Sequence, residues 1–345
     1  MITKEYFEET ALGEKVYKFI FTNKNNYSIH LLSYGLSIQK IIYPDGQDIV
    51  LGFEDLNSYE TNDLYIGCIV GRNANRLSEG TILLDEKEVQ LTQNDGDKQL
   101  HGGNTGFQKR NWDCSIQNID NKEILIAKYV SKHLEEGFPG ELNVTVSFEL
   151  TDKNTLEIGY TATTDKTTIV NLTRHDYFNL KDGGKSSIND HLVKLNASEI
   201  TVNNSEGIPT GEIKKINHTA LDFTKETEIS SNLKKDAENL KMGYDHNFII
   251  KKNSDNLAVA GKATDPNSGR HIEICTTQPG VQFYTSGYLN GIKGKNGIAY
   301  NAFNGFCMEG QHFPDATKHK HFKSTILRPN QTYEEQLVYK FNIKK

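Results

Sequence analysis

Short strand-like segments separated by turns recur along this 345-residue chain, and this rhythm constrains the fold more than any other feature. The turn at residues 44–46 has a clear mechanism: proline presets φ, aspartate bonds its own backbone, and glycine accepts a positive φ. Helix-like spacing occurs only at residues 55–61 and 230–239. Because neither segment resembles the crossover helix of a parallel βαβ unit, the sequence predicts an antiparallel all-β sandwich or barrel.

The individual strands are predicted from apolar and β-branched segments bounded by turn residues. We place them at residues 15–21, 28–33, 36–43, 48–53, 81–84, 88–91, 123–129, 141–150, 155–163, 247–252, 271–276, 282–284 and 333–341. The chain shows no internal repeat and no low-complexity linker. Its length alone suggests about two domains at roughly 150 residues each, although all-β folds often run longer as one.

Charge and cysteine usage exclude several classes of protein. The formal net charge is −6, with 39 Lys+Arg against 45 Asp+Glu, which argues against a nucleic-acid or anionic-membrane partner. No apolar run approaches the ~20 residues of a membrane-spanning helix. The first residues lack the apolar core of a secretory signal. Four dispersed cysteines form no CxxC pair and are expected to be reduced, so we expect a cytoplasmic protein.

Familiar cofactor and hydrolase motifs are missing from the sequence. It contains no GxGxxG, GxxxxGK[ST], HExxH or GxSxG pattern. The usual support for nucleotide binding, zinc proteolysis and serine hydrolysis is therefore absent. The pair His319 and His321 has the spacing of metal ligands, but it lies in a lysine-rich loop without a clear third ligand. We expect no metal.

The densest polar segment is residues 171–179, NLTRHDYFN. In an extended conformation His175 shares a face with Asn171, Thr173 and Tyr177. A polar row that ends in an aromatic is typical of a ligand-binding face, although a solvated strand face remains the alternative. Histidine is the side chain best suited to exchange protons near neutral pH.

Glu309 and His101 are two further candidates for chemistry. Glu309 ends an apolar strand, where desolvation would raise its pKa and suit it to act as a base; a solvated strand end is the alternative. His101 precedes two glycines, which let another group approach the imidazole closely, unless the segment is only an exposed turn.

Three more segments offer polar side chains in suggestive places. Asp245 begins a strand, and Gln282 shares a strand face with Tyr284. The segment GRNANR carries Arg76 beside Asn75, so that an arginine there would be a fixed cation near a substrate oxygen. The alternatives are a capping role for Asp245, a half-solvated strand for Gln282 and an ordinary surface charge for Arg76.

Taken together, these segments resemble the aldose 1-epimerase (galactose mutarotase) family over most of the chain. The matching motifs, in order, are GRNANRL from Gly71, QLHGG from Gln99, NLTRHDYFNL from Asn171, YDHNF from Tyr244, PGVQFYT from Pro279 and FCMEGQHFPDA from Phe306. The resemblance implies a large antiparallel β-supersandwich with few short helices. It also implies an isomerase that interconverts the α and β anomers of aldohexoses such as glucose and galactose.

The resemblance assigns a role to each candidate residue. It makes Glu309 the general base and His175 the general acid, and it has Arg76 and His101 hold the ring and anomeric oxygens. It further implies that Asp245 binds sugar hydroxyls, that Gln282 is the amide that contacts the substrate and that Asn75 also contacts the sugar, without any cofactor. Aromatics such as Tyr177 and Phe283 are expected to stack on the sugar. Because these residues span most of the chain, we expect one domain over residues 1–345, as a monomer or homodimer.

The sequence departs from the family's pattern at three positions and leaves other functions open. Arg174 and Asp176 flank His175 where smaller or neutral residues are usual, and Gly310 replaces a common Pro or Thr. Alternation along a strand should direct Asp176 away from His175. A glycoside hydrolase pairing Glu309 with Asp245, or a lectin without chemistry, would use the same residues. A hexose-6-phosphate epimerase would need a basic cluster, which we do not find.

Overall fold

The computed structural model describes residues 1–252, 254 and 256–344, and most of its regular structure is strand. The strands are β1 (Ile2–Glu9), β2 (Lys15–Thr22), β3 (Ser28–Leu32), β4 (Ile38–Ile42), β5 (Ile69–Val70), β6 (Arg76–Leu77), β7 (Thr81–Leu84), β8 (Lys87–Gln90), β9 (Gln99–Leu100), β10 (Asp113–Ile119), β11 (Lys122–Ser131), β12 (Leu142–Leu150), β13 (Thr155–Thr164), β14 (Thr168–Ile169), β15 (Thr173–Arg174), β16 (Leu192–Leu195), β17 (Ala197–Asn203), β18 (Pro209–Lys215), β19 (Thr227–Glu228), β20 (Asp245–Ile250), β21 (Ala258–Thr264), β22 (Arg270–Thr276), β23 (Gly280–Tyr284), β24 (Ile292–Lys293), β25 (Ala299–Tyr300), β26 (Cys307–Gln311), β27 (Ile326–Leu327) and β28 (Tyr333–Ile343). The α-helices of these described residues are α1 (Leu56–Thr61) and α2 (Ile229–Leu233).

Three sheets dominate the fold. Their strand orders are β1-β2-β3-β4, β10-β11-β12-β13-β28-β22-β21-β16-β19 and β18-β17-β20-β23-β26. The strands that pair within these sheets run antiparallel. The predicted large antiparallel β-sandwich with few short helices is therefore confirmed.

Alternating hydrophobicity gives the nine-stranded sheet its buried face. Along β12, Val144, Val146 and Phe148 are buried, while the intervening side chains are exposed or half-buried. This period of two directs alternate side chains into one core. Burial of each such side chain contributes about 1.5–3 kcal/mol. The resulting apolar cluster includes residues from Ile2 to Phe341, so the two ends of the chain meet in the same core.

Most predicted strands are found, but the prediction for residues 48–53 is wrong. That segment forms only isolated bridges at Asp48 and Val50. The Asp48 carboxylate accepts hydrogen bonds from the backbone N–H groups of Ile41 and Val50, and Leu51 N–H donates to Tyr177 O. The backbone therefore bonds to several different elements, and no regular ladder forms.

The helix prediction for residues 55–61 is correct in place and length, whereas the one for residues 230–239 is correct only in place. Asp55 caps α1 by accepting a hydrogen bond from Ser58 N–H at 2.8 Å. The second segment is shorter than predicted, since α2 ends at Leu233 and a single 3₁₀ turn, Lys234–Asp236, follows. In the described part of the chain, no helix is long and apolar enough to cross a membrane.

Several strands escaped prediction because their sequences are polar. Strand β1 lies at an edge of the four-stranded sheet and is mostly exposed, so it lacks a continuous apolar face. Strand β18 occupies an edge of the five-stranded sheet and is likewise exposed. Edge strands are stabilised by pairing to one neighbour, and their own pattern is correspondingly weak.

Candidate active site

Three neighbouring strands of the five-stranded sheet place three predicted residues on one face. Gln282 on β23 lies opposite Glu309 on β26, and Asn247 on β20 lies opposite Gln282. Asp245 is two residues from Asn247 and therefore points to the same face. The sheet register thus brings an aspartate, an amide and a glutamate together from distant parts of the sequence.

The other predicted residues come from short paired segments beside this sheet. His175 follows β15, and its backbone N–H donates to Cys68 O at 2.9 Å. Strand β6 pairs with β9, with Arg76 opposite Leu100. The backbone N–H of His101 donates to Asn75 O at 3.1 Å. These pairings bring the two histidines together, with 5.3 Å between their ring centroids.

All seven predicted residues line one cavity of about 170 Å³. Its full lining is Asp63, Leu64, Tyr65, Asn75, Arg76, Leu100, His101, His175, Tyr177, Asp245, Gln282, Tyr284, Tyr288 and Glu309. Small-molecule sites usually combine such a concave shape with a few convergent polar groups. The cavity is therefore the candidate active site.

Glu309 and His175 form the central acid–base pair, with Glu309 Oε1 3.7 Å from His175 Nε2. Both side chains are buried, and Glu309 Oε2 has no hydrogen-bond partner among the described residues. Burial raises the pKa of Glu309 well above its usual value, and the charges of Asp245 and Asp176 raise it further. Burial also lowers the pKa of His175 to about 4.

These shifts favour a neutral pair, with the proton on Glu309. The expectation that the carboxyl would be desolvated is confirmed. Mutual attraction would favour an ionised pair, but burial is the largest influence on the pKa of both groups.

The hydrogen bonding of His101 fixes which ring nitrogen carries the proton. Its Nδ1 accepts a hydrogen bond from Asn75 N–H at 3.2 Å, so the neutral ring carries its proton on Nε2. Burial lowers the pKa of His101 well below its usual value, and His175 and Arg76 lower it further. His101 is therefore a neutral donor through Nε2–H.

A polar network organises the opposite side of the cavity. Gln282 Nε2 donates to Asp245 Oδ1 at 2.7 Å, and Arg76 Nη1 lies 3.9 Å from Asp245 Oδ2. Arg76 Nε also donates to Asp95 Oδ2 at 2.9 Å. Arg76 is thus held by two acids, while the carboxylate of Asp245 is oriented by the amide of Gln282.

Aromatic rings form much of the remaining wall. Tyr177 stacks on His175 with ring centroids 4.9 Å apart, so its predicted location at the site is correct. Phe283 is not at the cavity. It lies on the other face of β23 and packs against Tyr244 and Phe223 in the core, so it cannot stack on a ligand there.

Sequence reasoning did not identify Tyr65 and Tyr288 as wall residues. Tyr65 packs on His101 at 4.5 Å, and Tyr288 is exposed at the mouth. Neither tyrosine lies in one of the motifs identified in the sequence. Tyr284 was noted only as sharing a face with Gln282, and that alternation was the available signal.

Strained backbone accompanies the functional side chains. Tyr65, Asn75 and His101 all have positive φ, at 55°, 65° and 52°. A left-handed conformation costs a non-glycine residue of order 1 kcal/mol and clusters at functional sites. Beside His101, a Cβ on Gly102 would lie 2.0 Å from Gly71 O, so only glycine fits against this backbone.

The remaining residues from the sequence analysis lie outside the cavity. Arg72 is buried and bonds to Ser131. Asp176 points away from His175, as predicted, and pairs with Arg174. At Gly310, a Cβ would lie 2.7 Å from the side-chain oxygen of Thr276, so the departure from the family's usual Pro or Thr matches a crowded neighbour.

His101, His175 and Glu309 bring three potential metal-ligand atoms together. Their ligand atoms lie within 4.8 Å of one another, a spacing that an ion could bridge. However, Nδ1 of His101 already accepts a hydrogen bond, and its Nε2 carries the proton. A neutral imidazole in that state has no lone pair left for a metal, so these residues suit proton transfer better than metal binding.

Comparison with known proteins identifies the family to which this geometry belongs. The family model for aldose 1-epimerase matches residues 17–340. The chain is 38% identical to the galactose mutarotase of Bos taurus, with 99% of each chain covered. It is 32% identical to the aldose 1-epimerase of Escherichia coli strain K12, covering 93% of this chain and 94% of that protein. The chain therefore belongs to the aldose 1-epimerase family.

Solved structures agree with this assignment. An aldose epimerase homologue from C. elegans has a TM-score of 0.86 at 28% identity, covering 99% of this chain and 100% of that one. A galactose 1-epimerase from Lactobacillus acidophilus has a TM-score of 0.88 at 24% identity, with 100% and 99% covered. The second likeness shows the shared fold alone.

Proposed function

We propose that this isomerase interconverts the α and β anomers of aldohexoses such as glucose and galactose by opening and reclosing the sugar ring. The observation that carries the mechanism is the buried Glu309–His175 pair inside a cavity of about 170 Å³. We also propose a single domain over residues 1–345, because the cavity collects side chains from Tyr65 to Glu309. We further propose that the protein is cytoplasmic, that it is a monomer or homodimer, and that it has no nucleic-acid or membrane partner.

Ring opening requires two proton transfers. Glu309 as carboxylate removes the proton from the C1 hydroxyl, while His175 as imidazolium protonates the ring oxygen and the C1–O5 bond breaks. Rotation about C1–C2 then exposes the other face of the aldehyde, and the ring recloses with both transfers reversed. Acid–base assistance of this kind contributes about 10²–10⁴-fold.

The surrounding residues hold the sugar during these steps. His101 presents Nε2–H, and Arg76 its guanidinium, to the ring and anomeric oxygens, where negative charge develops. Asp245, oriented by Gln282, accepts hydrogen bonds from sugar hydroxyls, and Asn75 contributes a further polar contact. No cofactor has a role in this scheme, since each proton moves between the sugar and the two side chains.

Burial favours the ring-opening direction. Opening converts an ionised Glu309–His175 pair into a neutral one, and the buried site favours the neutral form. The free-energy cost of ionising the buried pair is incurred before ring opening, when the pair ionises around the bound sugar ring. Because the working pair holds one proton, activity should fall below about pH 4, where His175 gains a second proton. It should also fall at high pH, where Glu309 loses the shared proton.

Polarimetry of freshly dissolved α-glucose and α-galactose tests the proposal. We expect the protein to accelerate the approach to anomeric equilibrium. Glu309→Gln and His175→Asn should each lower kcat about 10³-fold or more, with circular dichroism unchanged. Near-normal activity in either variant would remove that residue from the mechanism. Hydrolysis of a glycoside, or sugar binding without turnover, would instead support the hydrolase or lectin alternative.

A further inference from the structure

Arg174 and Asp176 flank His175 in the sequence and form a fully buried ion pair. Arg174 Nε donates to Asp176 Oδ2 at 2.8 Å, and Nη2 donates to Oδ1 at 2.8 Å. Their side chains are 0% and 1% exposed. Apolar residues of similar volume often replace such buried pairs without loss of stability, so stability alone does not explain the pair.

The guanidinium also bonds to two backbone segments near the cavity. Nη1 donates to Leu36 O at 2.9 Å, and Nη2 donates to Gly67 O at 2.6 Å. Gly67 has a φ of 74°, and a Cβ there would lie 2.6 Å from Ile38 O. The segment around Gly67 is thus fixed in a crowded, left-handed conformation that the arginine contacts directly.

The same segment is hydrogen-bonded to the backbone of His175. Gly67 N–H donates to His175 O at 3.0 Å, and His175 N–H donates to Cys68 O. Two residues before Gly67, Tyr65 enters the cavity wall, with its ring 6.0 Å from that of His175. Arg174 therefore ties together the two segments that carry Tyr65 and His175.

Arg174 and Asp176 carry opposite charges, so the pair itself has no net charge. The Asp176 carboxylate also accepts a hydrogen bond from Tyr339 Oη at 2.8 Å. The other titratable groups packed around the pair stay neutral at pH 7, because burial raises the pKa of each: the phenols of Tyr160 and Tyr339 and the thiols of Cys68 and Cys307. Arg174 is thus the cation that compensates Asp176.

We propose that the Arg174–Asp176 ion pair is a positioning device for His175, which fixes the imidazole relative to Glu309 and offsets the charge of Asp176 behind these two residues. This inference rests on the proposed function, since it concerns the same proton transfers. A misplacement of about 1 Å at a reacting group can cost up to about 10²-fold in rate.

Three variants separate geometry from charge. Arg174→Lys keeps the cation but has three donors where the guanidinium makes four bonds, so kcat should fall about tenfold or more with both limbs of the pH–rate profile unmoved. Asp176→Asn leaves Arg174 uncompensated, and the positive charge should move both limbs to lower pH by about one unit. Arg174→Gln combined with Asp176→Asn should return the limbs to their original pH while kcat stays low.

The ion pair of buried Lys295 and half-buried Asp48 offers a control, since neither residue lines the cavity. Lys295 Nζ lies 2.5 Å from Asp48 Oδ2 and also donates to backbone oxygens of Gln39 and Val50. Lys295→Met combined with Asp48→Asn should change thermal stability while kcat, KM and the pH profile remain those of the parent enzyme.

Each outcome of this polarimetric series bears on the proposal. Wild-type kcat in Arg174→Lys would overturn it, as would an unmoved pH profile in a folded Asp176→Asn, or an equal kcat loss in the control pair. If Asp176→Asn does not fold, Arg174→Lys and the charge-neutral double variant still test the proposal. Absence of mutarotation in the parent protein would instead refute the proposed function, so the two failures are distinguishable.

Discussion

The nine-stranded and five-stranded sheets use the same antiparallel geometry for opposite purposes. The inner face of the nine-stranded sheet is apolar, with residues such as Val146, Ile158 and Ile274 fully buried. The five-stranded sheet buries Asn247, Gln282, Glu309 and Gln311. Several of their oxygens lack a hydrogen-bond partner among the described residues. One sheet supplies stability, while the other holds polar groups at a cost in stability.

The first prediction tests the stabilising role of the nine-stranded sheet. Ile158→Ala removes a fully buried side chain from β13 and should lower the free energy of unfolding by about 2–5 kcal/mol. Denaturant titration measures this loss. The kcat of the folded fraction should remain unchanged, and a large fall in kcat would show that the two sheets are not functionally separate.

The second prediction concerns the five-stranded sheet. Gln282→Ala removes the donor that orients Asp245, so kcat/KM for galactose should fall about 10–100-fold. The free energy of unfolding should change little, since the amide's main partner is a half-exposed carboxylate. Loss of stability without loss of kcat/KM would place Gln282 among the structural residues.

The third prediction has the smallest expected effect and concerns a gain in stability. Because burial raises the pKa of Glu309, the folded state binds its proton more tightly than the unfolded state does. The stabilisation that this proton provides is lost as pH rises through the folded pKa. Glu309→Gln cannot ionise, and it should stabilise the fold by about 1 kcal/mol or more at pH 8, and by less near pH 4.5.

Thermal unfolding of Glu309→Gln and the parent protein across this pH range measures the difference. A midpoint difference that is independent of pH would show that desolvation of Glu309 does not weaken the five-stranded sheet. In that case the energetic contrast between the two sheets would not extend to Glu309.

The sequence was most informative where one local pattern determined the structure. The alternation of apolar and polar residues along 141–150 and 155–163 was sufficient to predict β12 and β13, because each strand has one buried face. The seven site residues could be named because motifs carry them. Residues 48–53 were misassigned because alternation does not reveal which partners a backbone will find, and these lie far apart in the chain.

Other features depended on surroundings that a sequence does not display. The ionisation of Glu309 and His175 is set by burial from several strands, so the relative strength of desolvation and attraction was not predictable. The pairing of Arg174 with Asp176 required both side chains to be enclosed on the reverse face. Tyr65 was missed because its position depends on a left-handed backbone.

The cavity is assembled from segments that lie far apart, at Tyr65, Asn75, His101, His175, Asp245, Gln282 and Glu309. Opening any one of the pairings that hold them would displace a participant in the reaction. Recovery of mutarotation after dilution from denaturant therefore reports on assembly of the entire molecule. Optical rotation of a simple sugar would then serve as a folding assay that needs no label.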